Sequence, residues 1–162
     1  QSEDLQKEFD FVSRACNPDA QAQRELFNSI MKAENRPHEP WALQVLALLS
    51  ADVREPQYNA YIDSSLKSLE TLQQSSDIFF AANWLSALLT NHKSQEALQS
   101  VEGFLKQHPN YQENLRGKIL VASWMLKNDK NIVRSSQESQ PAKKAAPKAA
   151  PKKTARRTTK KR

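Results

Sequence analysis

The fold class is decided by residues 77–90, DIFFAANWLSALLT. Placed on a helix of 3.6 residues per turn, the apolar side chains of this stretch cover almost the whole circumference. Only a narrow polar stripe remains, formed by Asn83, Ser86 and Thr90. A helix that is apolar nearly all round must lie between neighbours on two sides. The stretch therefore predicts an all-α domain with this helix near its centre.

Helical periodicity continues outward from this stretch in both directions. Capping and turn signals, among them Asn17-Pro18, Pro40, Ser76 and Ser94, separate the periodic segments. We predict about seven antiparallel helices, at residues 3–16, 18–34, 40–50, 57–74, 77–90, 94–107 and 111–127. Because the links are short, we expect a right-handed α-α superhelix, a HEAT- or armadillo-like array, over residues 1–128.

The composition argues against several other classes of protein. Only 2 of the 162 residues are Gly, which makes an all-β fold with tight turns unlikely and excludes Gly-rich phosphate loops. The single Cys excludes an internal disulfide and a Cys-based zinc ribbon. Apolar runs such as residues 45–49 are too short to span a bilayer, so we expect no membrane partner. A single Cys without a visible signal peptide favours a cytoplasmic location.

The charge divides the chain into two parts. Residues 1–138 carry 14 Lys/Arg and 18 Asp/Glu, a net charge of −4, whereas residues 139–162 carry 10 Lys/Arg and no acid, a net charge of +10. Large apolar side chains nearly vanish after residue 128, which predicts a disordered Lys/Ala/Pro-rich tail over residues 129–162.

The tail cations should attract nucleic acid or another polyanion without reading its sequence. The predicted contact residues are Lys143, Lys144, Lys148, Lys152, Lys153, Arg156, Arg157, Lys160, Lys161 and Arg162. In composition alone, the tail resembles histone-like basic tails. A solubilising tail with no single partner is the competing interpretation.

No catalytic or metal-binding constellation is visible in the sequence. The pair His38-Glu39 begins an H-E-x-x-H pattern, but Ala42 stands at the place of the second His, and Pro40 lies between them. We therefore predict no catalytic residue, no metal ligand and no cofactor in this chain.

The remaining chemically distinctive side chains fit a helical core. Cys16 ends an apolar stripe formed by Leu5, Phe9 and Val12, so we predict a small buried side chain there. The aromatic side chains of Trp41, Phe79, Phe80 and Trp84 are also predicted to pack in the core rather than line a pocket.

Two segments resemble the C-terminal helical region of bacterial zinc aminopeptidases of the aminopeptidase N type. These segments are residues 16–49, CNPDAQAQRELFNSIMKAENRPHEPWALQVLALL, and residues 77–120. The resemblance covers roughly residues 5–127. Its residues are Asn17-Pro18, Ala33-Glu34-Asn35-Arg36, Pro40-Trp41, Asp77-Ile78-Phe79-Phe80, Trp84-Leu85 and His108-Pro109.

The resemblance implies a non-catalytic C-terminal domain that covers a substrate chamber. In that family a separate catalytic domain holds zinc through H-E-x-x-H and a downstream Glu, and none of those positions is present here. The expected partner is thus the catalytic domain of the same polypeptide, with zinc in that domain. The chain would then be part of a longer protein, and its Lys-rich tail departs from the family pattern.

Two other functions remain open from the sequence. The chain could be a stand-alone helical adaptor whose tail docks on nucleic acid or another polyanion. It could also be a tetratricopeptide-like peptide binder, since residues 84–109 partly follow that pattern, although Ala87 replaces its diagnostic Gly. If the array is part of a larger one, we expect an exposed apolar face on the first helix, at Leu5, Phe9 and Val12 or at Phe11.

Overall fold

The computed structural model describes residues 2–51, 58–92 and 94–128, and the regular secondary structure of these residues is entirely helical. This confirms the predicted all-α class. The α-helices are α1 (Ser2–Val12), α2 (Ala20–Ile30), α3 (Glu39–Leu49), α4 (Tyr58–Lys67), α5 (Leu69–Gln74), α6 (Phe80–Leu89), α7 (Gln95–Gln107), α8 (Glu113–Ala122) and α9 (Trp124–Asn128). Short 3₁₀ helices follow α1 at Ser13–Cys16 and α2 at Ala33–Asn35.

The helices form two layers. In one layer α1, α3, α6 and α8 are successive neighbours. In the other, α2 meets α4 through the stacked rings of Phe27 and Tyr61, α4 packs on α7, and α7 packs on α9. Two parallel rows of helices are the architecture of an α-α array. The predicted tail, residues 129–162, lies outside the described residues.

The predicted central helix occupies the centre of the first layer. Helix α6 packs on α3 at one side and on α8 at the other. The side chain of Trp84 is fully buried, and its Nε1 donates a hydrogen bond of 3.0 Å to Ser65 Oγ of α4. Helix α6 therefore joins both layers, as its nearly continuous apolar surface predicts. No helix in the described ranges has the length and apolar character needed to cross a membrane.

Two of the predicted helices are interrupted by a serine. The helix predicted at residues 57–74 divides into α4 and α5 at Ser68, and the one predicted at residues 111–127 divides into α8 and α9 at Ser123. The Ser123 hydroxyl donates to the carbonyl of Leu120 at 3.2 Å, so it competes for the backbone groups that continue a helix. The helical period of residues 57–74 nevertheless predicts one inner face correctly, since all its members are buried: Tyr58, Tyr61, Ile62, Ser65, Leu66, Leu69 and Leu72.

The start of the second helix differs from the prediction by two residues. Asp19, rather than Asn17, is the N-cap of α2, and its carboxylate accepts a hydrogen bond of 2.9 Å from the backbone N–H of Gln21. Asn17 instead accepts from the N–H of Asp19 at 2.9 Å. Since Asn and Asp both make such local turns, the sequence alone did not distinguish which one begins the helix.

The cap predicted for the helix over residues 94–107 is confirmed. The hydroxyl of Ser94 accepts a hydrogen bond of 3.1 Å from the backbone N–H of Ala97, which satisfies one of the free donors at the start of α7.

Candidate docking surface on the first helix

The first helix exposes large apolar side chains along one side. Leu5 and Phe9, one helical turn apart, are 66% and 65% exposed, and Leu48 of α3 is exposed beside them. Val12, one turn further along α1, is half-buried. These exposures confirm the expected apolar face of the first helix.

A different side of α1 faces the core. The Phe11 ring lies 6.1 Å from that of Trp41 in α3, and Ala15 is fully buried. The prediction that Cys16 is buried is wrong, because its side chain is exposed. The cause is the 3₁₀ helix at Ser13–Cys16, whose tighter turn moves Cys16 out of register with the α-helical stripe.

A groove runs between α1 and α3, and we refer to it as the α1 groove. One part, of about 460 Å³, is lined mainly by apolar side chains. A second part, of about 580 Å³, shares Leu5 and Glu8 with the first, so the two parts are continuous. The lining residues of the groove are Asp4, Leu5, Glu8, Phe9, Val12, Ser13, Cys16, His38, Pro40, Trp41, Gln44 and Leu48. The lining residues of the first helical segment run from Asp4 to Cys16, so at 1.5 Å per residue the groove is about 18 Å long.

Two carboxylates border the α1 groove one helical turn apart. Glu8 Oε1 accepts a hydrogen bond of 2.8 Å from Gln44 Nε2, and Asp4 is exposed. Lys7, on the same helix, pairs with Glu3 at 2.9 Å and does not line the groove. Among the residues that the structure describes, no Lys or Arg pairs with Asp4 or Glu8. The groove thus has an apolar floor and an acidic rim.

The His38-Glu39 pair does not form a metal site. The His38 ring lies edge-on against Trp41, with centroids 4.3 Å apart, and Glu39 Oε1 accepts a hydrogen bond of 3.3 Å from the N–H of Asp77. Within residues 2–51, 58–92 and 94–128, no group of three or more His, Cys, Asp or Glu side chains could hold a metal ion. These residues do not fit the zinc site of the resembled family, and we derive no metal chemistry from them.

Arg36, which the sequence singled out only through the aminopeptidase resemblance, is buried. Its guanidinium lies over the Phe80 ring at 4.6 Å, and Nη2 donates to the hydroxyls of Ser75 at 3.3 Å and Ser76 at 2.9 Å. Burial lowers the pKa of Arg36, and two nearby glutamates partly oppose this effect. Arg36 therefore ties the segment before α3 to the segment before α6.

Ser76 was predicted to cap the helix over residues 77–90, and its contact with Arg36 explains why it does not do so. Its hydroxyl accepts a hydrogen bond from the guanidinium, and Asp77 Oδ1 accepts instead from the backbone N–H of Phe79 at 2.8 Å. Helix α6 consequently begins at Phe80, and Phe79 is exposed just before it. The predicted core packing is confirmed for Phe80 and Trp84, whereas Trp41 is half-buried and the prediction for Phe79 is wrong.

A second apolar surface lies at the opposite end of the array. Leu120, Val121 and Trp124 of α8 and α9 are exposed, with Val121 at 77%. The helical period of residues 111–127 predicts that Leu115, Ile119, Ala122 and Leu126 face inward; the first two and the last are buried, and Ala122 is half-buried. Periodicity did not predict the exposed stripe, because it identifies an apolar face but not whether another helix packs over that face. The ten predicted polyanion-binding residues of the tail lie outside the described residues.

No protein-family model matches this chain, and neither the curated proteins nor the solved structures give a significant match. Several residues that carry the aminopeptidase resemblance pack in the core or form local turns. Trp84 fills the core, Asn17 forms the turn before α2, and Arg36 joins two connections. Functional assignment therefore depends on surface geometry and charge.

Proposed function

We propose that this chain is the non-catalytic C-terminal helical domain of an aminopeptidase N-like zinc aminopeptidase. In this proposal the α1 groove packs against the rest of the same polypeptide, and the helical array covers the substrate chamber. The catalytic domain supplies the zinc and the reacting groups. The proposal is supported by the resemblance over residues 5–127 and by the exposed apolar face of α1.

The exposed apolar face of α1 is the observation that carries this proposal. Large exposed apolar patches on an otherwise well-packed domain mark interaction surfaces. The outermost helix of a free-standing array normally presents a polar outer face, which keeps the array soluble. Helix α1 instead presents Leu5 and Phe9, both about two-thirds exposed, so it has the character of an internal helix of a longer assembly.

The reading frame upstream of Gln1 provides the first test. We expect an in-frame H-E-x-x-H within a few hundred residues of it. A start codon immediately upstream, with no such motif, would contradict the proposal and favour a stand-alone adaptor.

The second test measures binding between this chain and the upstream catalytic region in vitro. The upstream catalytic region and this chain are produced separately and mixed, and their affinity is measured by titration calorimetry. Phe9→Asp should weaken binding at least about tenfold, because it places a charge at the centre of an apolar interface. Val121→Asp is the matched control, since it changes an exposed apolar residue at the opposite end of the array. Equal effects of both variants would refute an interface at α1.

The isolated chain should neither hold stoichiometric zinc nor hydrolyse aminoacyl substrates. The described residues offer one His-Glu pair with divergent contacts, and no set of ligands. Metal analysis after dialysis and a fluorogenic Leu or Ala substrate test this expectation. One tightly held zinc per chain, with turnover that a chelator blocks, would refute it.

A stand-alone adaptor with a polyanion-binding tail is the second candidate. The observation that favours it is the separation of charge, because residues 139–162 have a net charge of +10 and residues 1–138 a net charge of −4. A cationic segment without acidic residues binds phosphate polyanions through counterion release. Deletion of the tail separates this function from the first, because it leaves the α1 groove intact.

A further inference from the structure

The chemistry of the α1 groove restricts what can cover it. The floor is apolar at Leu5, Phe9 and Leu48, and the rim carries the carboxylates of Asp4 and Glu8. When a partner closes over such a groove, water is removed from both carboxylates. A carboxylate that loses water without gaining a cation or donors is strongly destabilised.

We propose that the α1 groove binds an amphipathic helix with an apolar ridge and Lys or Arg along the edge that faces Asp4 and Glu8. This inference rests on the proposed function, in which the helix belongs to the remainder of the enzyme. The groove length of about 18 Å corresponds to about three turns of that helix.

A helix fits the groove better than an extended segment. Leu5, Phe9 and Val12 lie at i, i+4 and i+7, a row that accepts the ridge of a second helix. An extended segment binds by adding to a sheet edge, and α1 has no such edge, because its backbone groups are used within the helix.

Two other occupants fit less well. A second copy bound through the same groove would bring the Asp4 and Glu8 pairs of both copies together, and like charges at an interface are unfavourable. Residues 139–162 supply cations but no large apolar side chain for the floor.

The apolar pair Ile132-Val133 is also a poor occupant, because two adjacent apolar residues do not form the ridge of three helical turns that the groove accommodates.

The test uses the full chain and two synthetic helical peptides of three to four turns. Both peptides carry the same Leu ridge, with Lys along the edges in one and Gln in the other. Titration calorimetry at low salt should show about fivefold tighter binding of the Lys peptide, as expected for exposed ion pairs. The difference should shrink in high salt, where charges are screened. The basic tail repels the Lys peptide and so works against the expected result.

Variants assign the binding to the groove. Asp4→Asn combined with Glu8→Gln should remove the preference for Lys and should not weaken binding of the Gln peptide, because amides cost less to desolvate than carboxylates. Asp63→Asn combined with Glu96→Gln changes two carboxylates of the groove between α4 and α7, and should have no effect. Phe9→Asp should abolish binding of both peptides, and circular dichroism verifies that each variant is folded.

Three results would overturn the proposal. They are equal affinities for the two peptides, a preference that survives the Asp4/Glu8 double variant, and self-association of the chain that Phe9→Asp abolishes. Failure here is distinguishable from failure of the proposed function. If the upstream region binds through Phe9 without needing Asp4 and Glu8, only the basic partner is refuted.

Discussion

The two ends of the array both expose apolar side chains but differ in charge. At the first end, Leu5 and Phe9 lie beside Asp4 and Glu8, and no Lys or Arg lines the groove in the part of the chain that the structure describes. At the last end, Leu120, Val121 and Trp124 are exposed, and α9 carries Lys127, which pairs with Glu102 at 3.7 Å. The sequence that follows is strongly cationic.

This difference shows that apolar exposure alone does not identify a partner. Burial of apolar area supplies a non-directional driving force, so either end could bind many surfaces. The charges at the rim select among those surfaces, since unlike charges favour association and like charges oppose it. We therefore expect a basic protein partner at the first end and a polyanion at the tail that follows the last end.

The largest expected effect is on the free energy of unfolding, and it distinguishes the buried centre of the array from its exposed ends. Trp84→Ala should lower the free energy of unfolding by about 3–5 kcal/mol, because it leaves a cavity in the core and removes the donor to Ser65. Trp124→Ala should change it by less than about 0.5 kcal/mol, because its side chain is mostly exposed. Urea unfolding followed by far-ultraviolet circular dichroism measures both.

If Trp84→Ala does not fold, Trp84→Phe provides a smaller change at the same place. A comparable loss of stability from Trp124→Ala would mean that the last end is part of the core, and would remove the distinction drawn between the ends and the centre.

The second prediction concerns the cationic tail. If about six of its cations contact phosphates, the logarithm of the duplex affinity should fall with the logarithm of salt concentration with a slope near −5. A fourfold increase in salt then weakens binding about a thousandfold. Deleting residues 139–162 leaves a chain with a net charge of −4, which should not bind.

Fluorescence anisotropy with duplexes of unrelated sequence, at two salt concentrations, measures the effect of the tail. Binding that survives the deletion, depends on the duplex sequence or is insensitive to salt would place the polyanion site in the helical body instead.

Sequence periodicity predicted the inward faces better than the helix ends. Every residue assigned to the inner face of residues 57–74 is buried. A continuous apolar stripe removes its side chains from water only when it faces the core. The interruptions at Ser68 and Ser123 were missed. A serine hydroxyl can point to solvent or bond to the backbone, and this choice depends on local packing that periodicity does not contain.

The candidate site was predicted only in part. The apolar stripe of α1 indicated an exposed face, because a helix at the edge of an array has a neighbour in its layer on one side only. The acidic rim could not be derived, because it requires knowing that α3 places Trp41 and Gln44 beside Asp4 and Glu8. The contact of Arg36 with Ser76, 40 residues away in sequence, was equally invisible.

The third prediction tests the connection that Arg36 makes between the segments before α3 and α6, in the region between the two ends. Arg36→Met keeps the apolar stem but removes the contacts with Phe80 and the two serine hydroxyls. We expect a loss of about 1–2 kcal/mol in unfolding free energy, because relief of the buried charge offsets part of the lost interactions. Arg24→Met, an exposed change on α2, is the control for urea unfolding. Equal stability of the two variants would show that the connection contributes nothing.

The smallest expected effect is a loss of unfolding free energy at high pH. It arises from Tyr111, which lies in the half of the molecule that contains the last end. Burial raises the pKa of Tyr111 above its ordinary value of 10.0, and the charge of Glu70 adds to the shift. The Tyr111 hydroxyl is buried and has no hydrogen-bond partner among the described residues, and its ring packs with those of Phe104 and His108.

The direction of the pH effect follows from proton binding. Above about pH 10 the unfolded chain loses the Tyr111 proton first, while the folded chain keeps it up to the raised pKa. The unfolded state then binds fewer protons, so the free energy of unfolding falls as the pH rises through this range. Below the ordinary pKa the contribution of Tyr111 is constant.

Tyr111→Phe should therefore reduce the loss of stability between about pH 9.5 and 11, and should not destabilise the protein at neutral pH, because the hydroxyl it removes has no partner. Urea unfolding of both proteins across this range measures the difference. The remaining tyrosines, Tyr58 and Tyr61, are common to both proteins and so cancel. Parallel stability curves for the variant and the parent would refute the role of Tyr111.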